Sequence, residues 1–405
     1  MKPTLPEPAD PLPLQGVRVL EWGHTIMGPV CSLVLADMGA DVIKIERAPR
    51  GDDTRRLPGA AMSYFSLFNR DKKSIALDLK RPEGKAVLRR LIARADVFIE
   101  NFGPDADKRL GFGHDACKRI NPRLVYCNLK GFMPGPYWNR PSLDHLAQIM
   151  GGLAYMTGRQ GDPLRAGASI TDIMAGVFGA LGIVTSLYER ERTGKGRRVV
   201  SALYETVVFM VAQHMASAAV GGLLSVPMPE VVSIWAVYDL FDSADGGKVF
   251  IGLTSDAQFR RFCDVFGLSE LKNDPCLASN NDRVAARDMF MPRIRKVLSA
   301  MTKAQIIAKS LDANIPFAPL TRPDELCDDP HLNESNGLVQ TTFASGVSAG
   351  MPRIPVRIGE HEFGRAADAP AVGQSTRRIM LDLGYDQDEI DALVADGIIV
   401  ADQDG

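Results

Sequence analysis

The chain has 405 residues, 45% of them hydrophobic, with 47 Lys and Arg against 49 Asp and Glu and a formal net charge of -2. This balance excludes the broad positive field of a nonspecific nucleic-acid binder. The length exceeds what one core usually fills, so two domains are expected.

The leader MKPTLPEPADPLPLQG contains no apolar segment of the kind that directs secretion. Apolar runs elsewhere are interrupted by Gly, Glu, Gln or His before the ~20 residues needed to span a bilayer, which predicts a soluble cytoplasmic protein. VRVLEW (17–22) and DVIKIE (41–46) read as strands around a helix over 29–40, PVCSLVLADMGA, with Pro29 near its start and Gly39 near its end. SIALDL (74–79), DVFIENF (96–102) and LVYCNLKGF (124–132) continue the strands. PEGKAVLRRLIARA (82–95) supplies a helix between them, and the segment 103–120 a more broken connection. A mostly parallel sheet of this kind binds ligands beyond the carboxyl ends of its strands, which here are the loops Gly23 to Met27, Arg47 to Arg55, Phe102 to Pro104 and Gly131 to Tyr137.

LDHLAQIMGGLAYMTG (143–158) and TDIMAGVFGALGIVTSLYERERTG (171–194) read as two helices, apolar almost all round and so buried on several faces. ERERTGKGRRV (189–199) is a charged turn leading to a strand or helix over 200–220. GGLLSVPMPE (221–230) is a Gly/Pro linker, and VYDLFDSADGGKVFIGL (237–253) a hairpin turning at DSADGG. The expected organisation is 1–224 as the first part of a large domain, 225–325 as a small middle domain with further helices, and 326–405 returning to the large domain.

Six scattered cysteines, Cys31, Cys117, Cys127, Cys263, Cys276 and Cys327, lack metal-ligand spacing and suit free thiols. Asp52 and Asp53 without a histidine make no metal site. Neither GxGxxG nor GxxxxGK[ST] occurs, which argues against a nicotinamide or P-loop nucleotide site. Lys44, Arg47, Arg50 and Arg55 surround Gly51 in KIERAPRGDDTR (44–55), able to clamp phosphates or to form an ordinary solvated loop. His24 follows the first strand, within reach of a ligand or in a structural role. Asp144 is placed to cap the helix behind it, and His145 beside it faces another way. In RAGASITDIMAG (165–176), Asp172 is either a helix cap or a carboxylate held in a dry pocket for chemistry.

In order along the chain, GVRVLEWGHTIMGP, LADMGADVIKIERAPRGDDTR, ALDLKRPEG, ADVFIENFGP, RLGFG, ASITDIMAG and ERERTGKGRRV resemble the class III CoA-transferases, the family that includes formyl-CoA transferase, carnitine CoA-transferase and alpha-methylacyl-CoA racemase. The resemblance covers most of the first two-thirds of the chain. It implies an α/β fold, a Rossmann-like large domain with a mostly parallel sheet plus a smaller α+β middle domain, in an interlocked homodimer. It also implies coenzyme A or acyl-CoA as substrate with a free carboxylic acid, and no metal or NAD; the charge balance and the short apolar runs already argue against nucleic acid and membrane as partners. Asp172 falls on the family's nucleophile, which passes through an aspartyl anhydride and an aspartyl-CoA thioester. Lys44, Arg47 and Arg55 would border the nucleotide, and Asn101, Phe102, Gly103 and Arg109 the rest of CoA. His24, Ile26, Arg140 and Arg165 are the candidate substrate contacts, the two arginines for a distal carboxylate, so succinyl-CoA or another dicarboxyl-CoA is the favoured donor. The racemase branch carries Gly-His-Asp where this chain has Ser142, Leu143 and Asp144. Formyl-CoA transferase carries a glutamine where this chain has Ile26, and a run of four glycines for which GGLL (221–224) is the nearest match. A 2-methylacyl-CoA racemase and a catalytically silent CoA-binding subunit are the alternatives.

Overall fold

The computed structural model describes residues 11–401 apart from 223, 232, 365 and 366. The first ten leader residues and Leu223 of the GGLL stretch lie outside the described residues. The chain divides into a large unit, 1–229 with 330–405, and a small unit, 230–329. These divisions fall a few residues beyond the boundaries expected from sequence.

The large unit is built on β1 (Arg18–Trp22), β2 (Asp41–Arg47), β3 (Lys73–Leu77), β4 (Val97–Glu100), β5 (Val125–Lys130) and β6 (Arg198–Ala202), all parallel. Sheet order places β3, β2, β1, β4, β5 and β6 side by side. The chain therefore reverses direction between β1 and β4, and the loops that leave these two strands open a crevice. Successive strand residues point to opposite faces. Leu20, Ile43, Ile45, Ile75 and Phe98 enter one core, while Val19, Val42, Val97, Ile99 and Val125 enter the other.

The first core is covered by the helix Pro82–Ala93, whose Val87, Leu88, Leu91 and Ile92 are buried. Its start is set by Pro at the first position and Glu83 in the first turn. The C-terminal helices Thr376–Asp382 and Gln387–Ala395 pack into the same core through Ile379, Met380 and Ile390. The strand Ile399–Val400 adds antiparallel to the edge at β3, so this segment docks on the first sheet.

The second core lies beneath α1 (Met27–Asp37) and the 24-residue helix Ile170–Thr193, called α2 here. The two helices pack closely because α2 carries glycines on the shared face. A Cβ at Gly176 would lie 2.9 Å from the Met27 carbonyl oxygen, and one at Gly179 would lie 3.2 Å from Cys31 Sγ of α1 and 2.7 Å from Leu129 on β5. α2 ends at Gly194, whose φ of 67 suits the left-handed C-cap that glycine accepts without strain. RTGKGRR is this helix end and its exit, with Arg197 paired to Glu189.

Two expectations need correction here. First, 143–158 is not one helix: it forms Asp144–Met150 and Leu153–Thr157, broken at Gly152 with φ 84. Second, the apolar helices do not bury several faces within the unit, because Leu146, Ile149, Leu181 and Tyr188 are exposed. Moreover, α2 is long and apolar enough to cross a bilayer by length and composition. Its Ala175, Gly176, Gly179, Ala180 and Ile183 are nonetheless buried against α1 and the sheet, which makes it a helix of the fold.

The small unit has an antiparallel sheet of Tyr238–Asp242, Lys248–Gly252 and Phe317–Pro319. The first two form the expected hairpin, closed by Ser243 N–H donating to the Gly247 carbonyl at 2.9 Å. Phe241, Phe259, Phe262, Phe290 and Ile294 fill its own core with three covering helices, Asp256–Phe266, Arg287–Ser299 and Lys303–Asp312.

Candidate active site

A cleft of about 290 Å³ opens at the carboxyl ends of β1 to β4. Trp22, Ile45, Leu77, Leu79, Phe102 and Leu110 give it an apolar wall, with Arg47, Asp53, Asp78 and Lys80 among its polar lining. The wall is rigid because Trp22 packs at 4.6 Å on Phe102, whose ring also stacks on His24 at 5.4 Å. Such a slot suits a flat aromatic base, with charge confined to its rim.

The rim is fixed by Asn101, at the switch between the two halves of the sheet. Its Oδ1 accepts from His24 N–H and its Nδ2 donates to the His24 carbonyl, each at 2.9 Å. Gly28 favours this approach, since a Cβ there would lie 3.1 Å from Asn101 Cγ and press on its amide. Beneath the rim, Lys44 donates to Glu21 at 2.8 Å and to the Gly23 carbonyl at 3.0 Å, and pairs with Asp52 at 3.0 Å. Lys72 reaches Glu21, the Pro29 carbonyl and Asn69. Burial alone would raise the Glu21 carboxyl, but Lys44 and Lys72 outweigh it and bring it down to about 2.

Asp172 sits in a different setting. It lies one turn before Gly176 and so on the same face of α2, toward the N-terminus of α1. Because α1 follows β1, this end of the helix pair is the cleft end of the sheet. The first amides of α2 are capped by Asp144, whose Oδ1 accepts from Thr171 N–H at 2.9 Å and Asp172 N–H at 3.2 Å. Ser169 at the N-cap position makes no side-chain cap bond. The Asp172 carboxylate is half-buried and accepts no hydrogen bond from the described residues. Burial, and after it the Asp144 charge, push it up to about 7. Asp144 thus caps a helix far along the chain as well as standing at the start of its own, which leaves the Asp172 side chain out of the capping.

The sequence model described as CoA-transferase family III matches residues 14–376. The chain belongs to this family. Succinyl-CoA:glutarate CoA-transferase of Mus musculus is 32% identical over 398 residues, covering 96% of this chain and 90% of its own. Formyl-CoA:oxalate CoA-transferase of Rhodopseudomonas palustris (strain ATCC BAA-98 / CGA009) is 34% identical, with 92% and 94% covered. A CAIB/BAIF family protein from Brucella suis superposes with a TM-score of 0.83 at 30% identity, covering 92% of this chain and all (100%) of that one.

Within the CoA-transferase family III framework, the structure redistributes the residues expected around CoA. Lys44 is 0% exposed and fully engaged, so it is a strut beneath the cleft and not a phosphate ligand. Arg55 is corrected likewise: it forms a two-pronged ion pair with Glu46 at 2.8 and 2.6 Å and donates to the Pro370 carbonyl. Asn101 uses its amide on His24, which leaves it a fastener of the loop. Ile26 is 4% exposed at the start of α1, and no substrate reaches its side chain in this arrangement. Arg47 is exposed and lines the cleft, held by Asp53 at 3.1 Å. Phe102 and His24 line it as well, whereas Gly103 and Arg109 are exposed on the adjoining loop and Arg109 donates to the Pro104 carbonyl. Arg140 lies over Tyr137 at 4.9 Å and Phe132 at 5.7 Å. Arg165 stands 3.8 Å from Asp144.

Sequence reasoning missed Trp22, Asp78 and Lys80 in the cleft. A signal existed for Lys80, since it follows β3 at the same sheet end as the other loops. Among the described residues no group of three or more His, Cys, Asp or Glu is placed to hold a metal ion.

Proposed function

We propose that this chain is an acyl-CoA:carboxylate CoA-transferase with Asp172 as nucleophile. The observation that carries the reading is a half-buried carboxylate, relieved of capping by Asp144, with no cation or hydrogen-bond donor among the described residues to quench it. Desolvated in this way, the anion is more reactive toward a thioester carbonyl than a solvated one. Attack on the acyl-CoA carbonyl expels CoA thiolate and forms a mixed anhydride. The thiolate then attacks the Asp172 carbonyl, releasing the donor acid as its carboxylate and leaving an aspartyl-CoA thioester. The acceptor carboxylate attacks that thioester, CoA thiolate leaves again, and its attack on the acceptor carbonyl of the new anhydride releases acyl-CoA and restores Asp172.

The CoA base is assigned to the slot of Trp22, Leu79 and Phe102, with Arg47 and Lys80 at its rim for phosphates. A dicarboxyl-CoA such as succinyl-CoA is the proposed donor, with a dicarboxylic acid as acceptor. Arg140 and Arg165 supply cations for a distal carboxylate, and both enzymes compared above are named for a dicarboxylic acceptor. Racemisation is disfavoured because Leu143, where that branch carries histidine, has no exchangeable proton and lies 68% exposed. An interlocked homodimer is proposed to cover Leu146, Ile149, Leu181, Tyr188 and Phe209, all exposed in the single chain. Its proposed location is the cytoplasm, on the strength of the scattered cysteines.

The test pairs succinyl-CoA with isotopically labelled glutarate in deuterated water. Transfer predicts labelled glutaryl-CoA that depends on both substrates and on Asp172. The Asp172→Asn variant should lose about 10⁴-fold or more in kcat, as removal of a covalent nucleophile does elsewhere. Deuterium exchange into a 2-methylacyl-CoA without acid-dependent CoA exchange would replace this reading with the racemase.

A further inference from the structure

The carboxylate that caps α2 is itself held by a residue outside the cleft and away from the nucleophile's own helix. Gln148 is 0% exposed. Its Nε2 donates to Asp144 Oδ2 at 2.7 Å, and its Oε1 accepts from Ala166 N–H at 2.9 Å. One amide therefore ties together the helix Asp144–Met150, the loop that leads into α2, and the acceptor of the Asp172 N–H. A buried amide with both ends engaged fixes its partners' positions, because freeing either end leaves an unpaired polar group inside the protein.

The geometry points to Gln148 as a positioning residue for transfer: by orienting Asp144 and the Ala166 loop together, it holds the backbone of Asp172 where its carboxylate meets the thioester carbonyl. This inference rests on the assignment of Asp172 as nucleophile. It predicts a role in kcat and not in CoA affinity, since Gln148 is absent from the cleft lining. Misplacement of a reacting group by about 1 Å costs on the order of 100-fold in rate.

The charged groups that face Asp144 are Arg165 at 3.8 Å and Asp172 on α2. On the elements packed against the Asp144 helix, Glu205 accepts from Met133 N–H and the Tyr155 hydroxyl donates to the Ser225 carbonyl, while His145 is exposed. Gln148→Glu is the informative change. It keeps an oxygen for Ala166 N–H but places a carboxylate against Asp144, so one of the pair must take up a proton or the two must move apart.

Full-length wild type, Gln148→Glu and Gln148→Met are compared for CoA binding by calorimetry, for steady-state transfer between pH 6 and 9, and for a quenched adduct on residue 172. Expected for Gln148→Glu is a kcat about tenfold or more below wild type at pH 8. Its KM for acyl-CoA should stay within about twofold of wild type, and the ratio of variant to wild-type kcat should recover as the pH falls and the carboxyl pair gains a proton. Gln148→Met should show the same loss without that recovery. A wild-type adduct at 172 together with wild-type kcat in both variants overturns the inference and leaves the nucleophile assignment standing. Absence of any adduct in wild type, with an active Asp172→Asn protein, removes the assignment itself and the inference with it. Should Gln148→Met not fold, the pH ratio of Gln148→Glu decides alone. Failure of both to fold would assign Gln148 to stability and so also overturn it.

Discussion

Glu21 and Asp172 are carboxylates of one unit, both shielded from water, and they titrate at opposite extremes. Glu21 meets two ammonium groups and the Ser32 hydroxyl and is held at about 2. Asp172 meets a second carboxylate and, among the described residues, no donor, and is pushed to about 7. The first arrangement lies under the cleft and stiffens its rim through Lys44, Gly23 and Asn101. The second stores electrostatic cost at the mouth of α2. Pairing, more than burial, separates a carboxylate held as a strut from one left without a counter-charge, and it is the same distinction that moved Lys44 and Arg55 out of the expected ligand set.

Breaking the strut should have the largest effect on folding. Glu21→Ala strands Lys44 and Lys72 in the interior, and removal of one partner of a buried pair costs about 3–5 kcal/mol. Denaturant titration should find this loss at neutral pH. In wild type the contribution is present above the ordinary carboxyl value of 4.5 and disappears as pH falls toward 2, because the folded value is the lower one.

Asp172→Asn should move stability the other way. The folded carboxyl titrates near 7 against 3.8 when unfolded, so the wild type loses stability between those values as the unfolded chain releases its proton first. Calorimetry should show no gain for the Asn variant below pH 4 and a gain on the order of 1–3 kcal/mol above pH 7. Equal destabilisation at every pH would mean that Asp172 is a cap after all. For the wild-type enzyme the same titration predicts a kcat that rises with pH through about 7, since only the anion attacks.

The smallest effect expected is at Arg47. Its guanidinium is exposed and already paired with Asp53, so Arg47→Ala should weaken CoA by about 1 kcal/mol, roughly fivefold, and less at high salt. An unchanged affinity on the folded variant would return Arg47 to the solvated loop.

Much of the fold was legible in particular stretches. VRVLEW and DVIKIE declared strands by their apolar content, PEGKAVLRRLIARA declared a helix, and DSADGG between two apolar runs marked the hairpin. The break at Gly152 was not legible, because a glycine pair inside an apolar run is compatible with a continuous helix. In the site, Asp172 was visible only as one of two alternatives, cap or reactive carboxylate, until the resemblance favoured one. Asp144 reaches α2 across 27 positions, a contact that no local spacing encodes. Lys44 was misread because the phosphate argument treated it as the start of a loop. Its place in the middle of β2, on a sheet covered on both faces, carried the correction: a charge there has no water to reach and must find a partner such as Glu21. The exposed apolar residues of α2 were likewise invisible, since composition does not tell burial within one unit from a face left open.

The central claim is that Asp172 is the group that becomes acylated, and rapid-quench peptide mass spectrometry tests it most directly. Wild type and Asp172→Asn are mixed with a dicarboxyl-CoA, quenched within one turnover and treated with hydroxylamine or borohydride to mark an activated carboxyl. The account predicts a modification at residue 172 in wild type that is chased by acceptor acid, and none in the Asn variant. A modification at another carboxylate that survives in the Asn variant, together with its near-normal transfer, would contradict it.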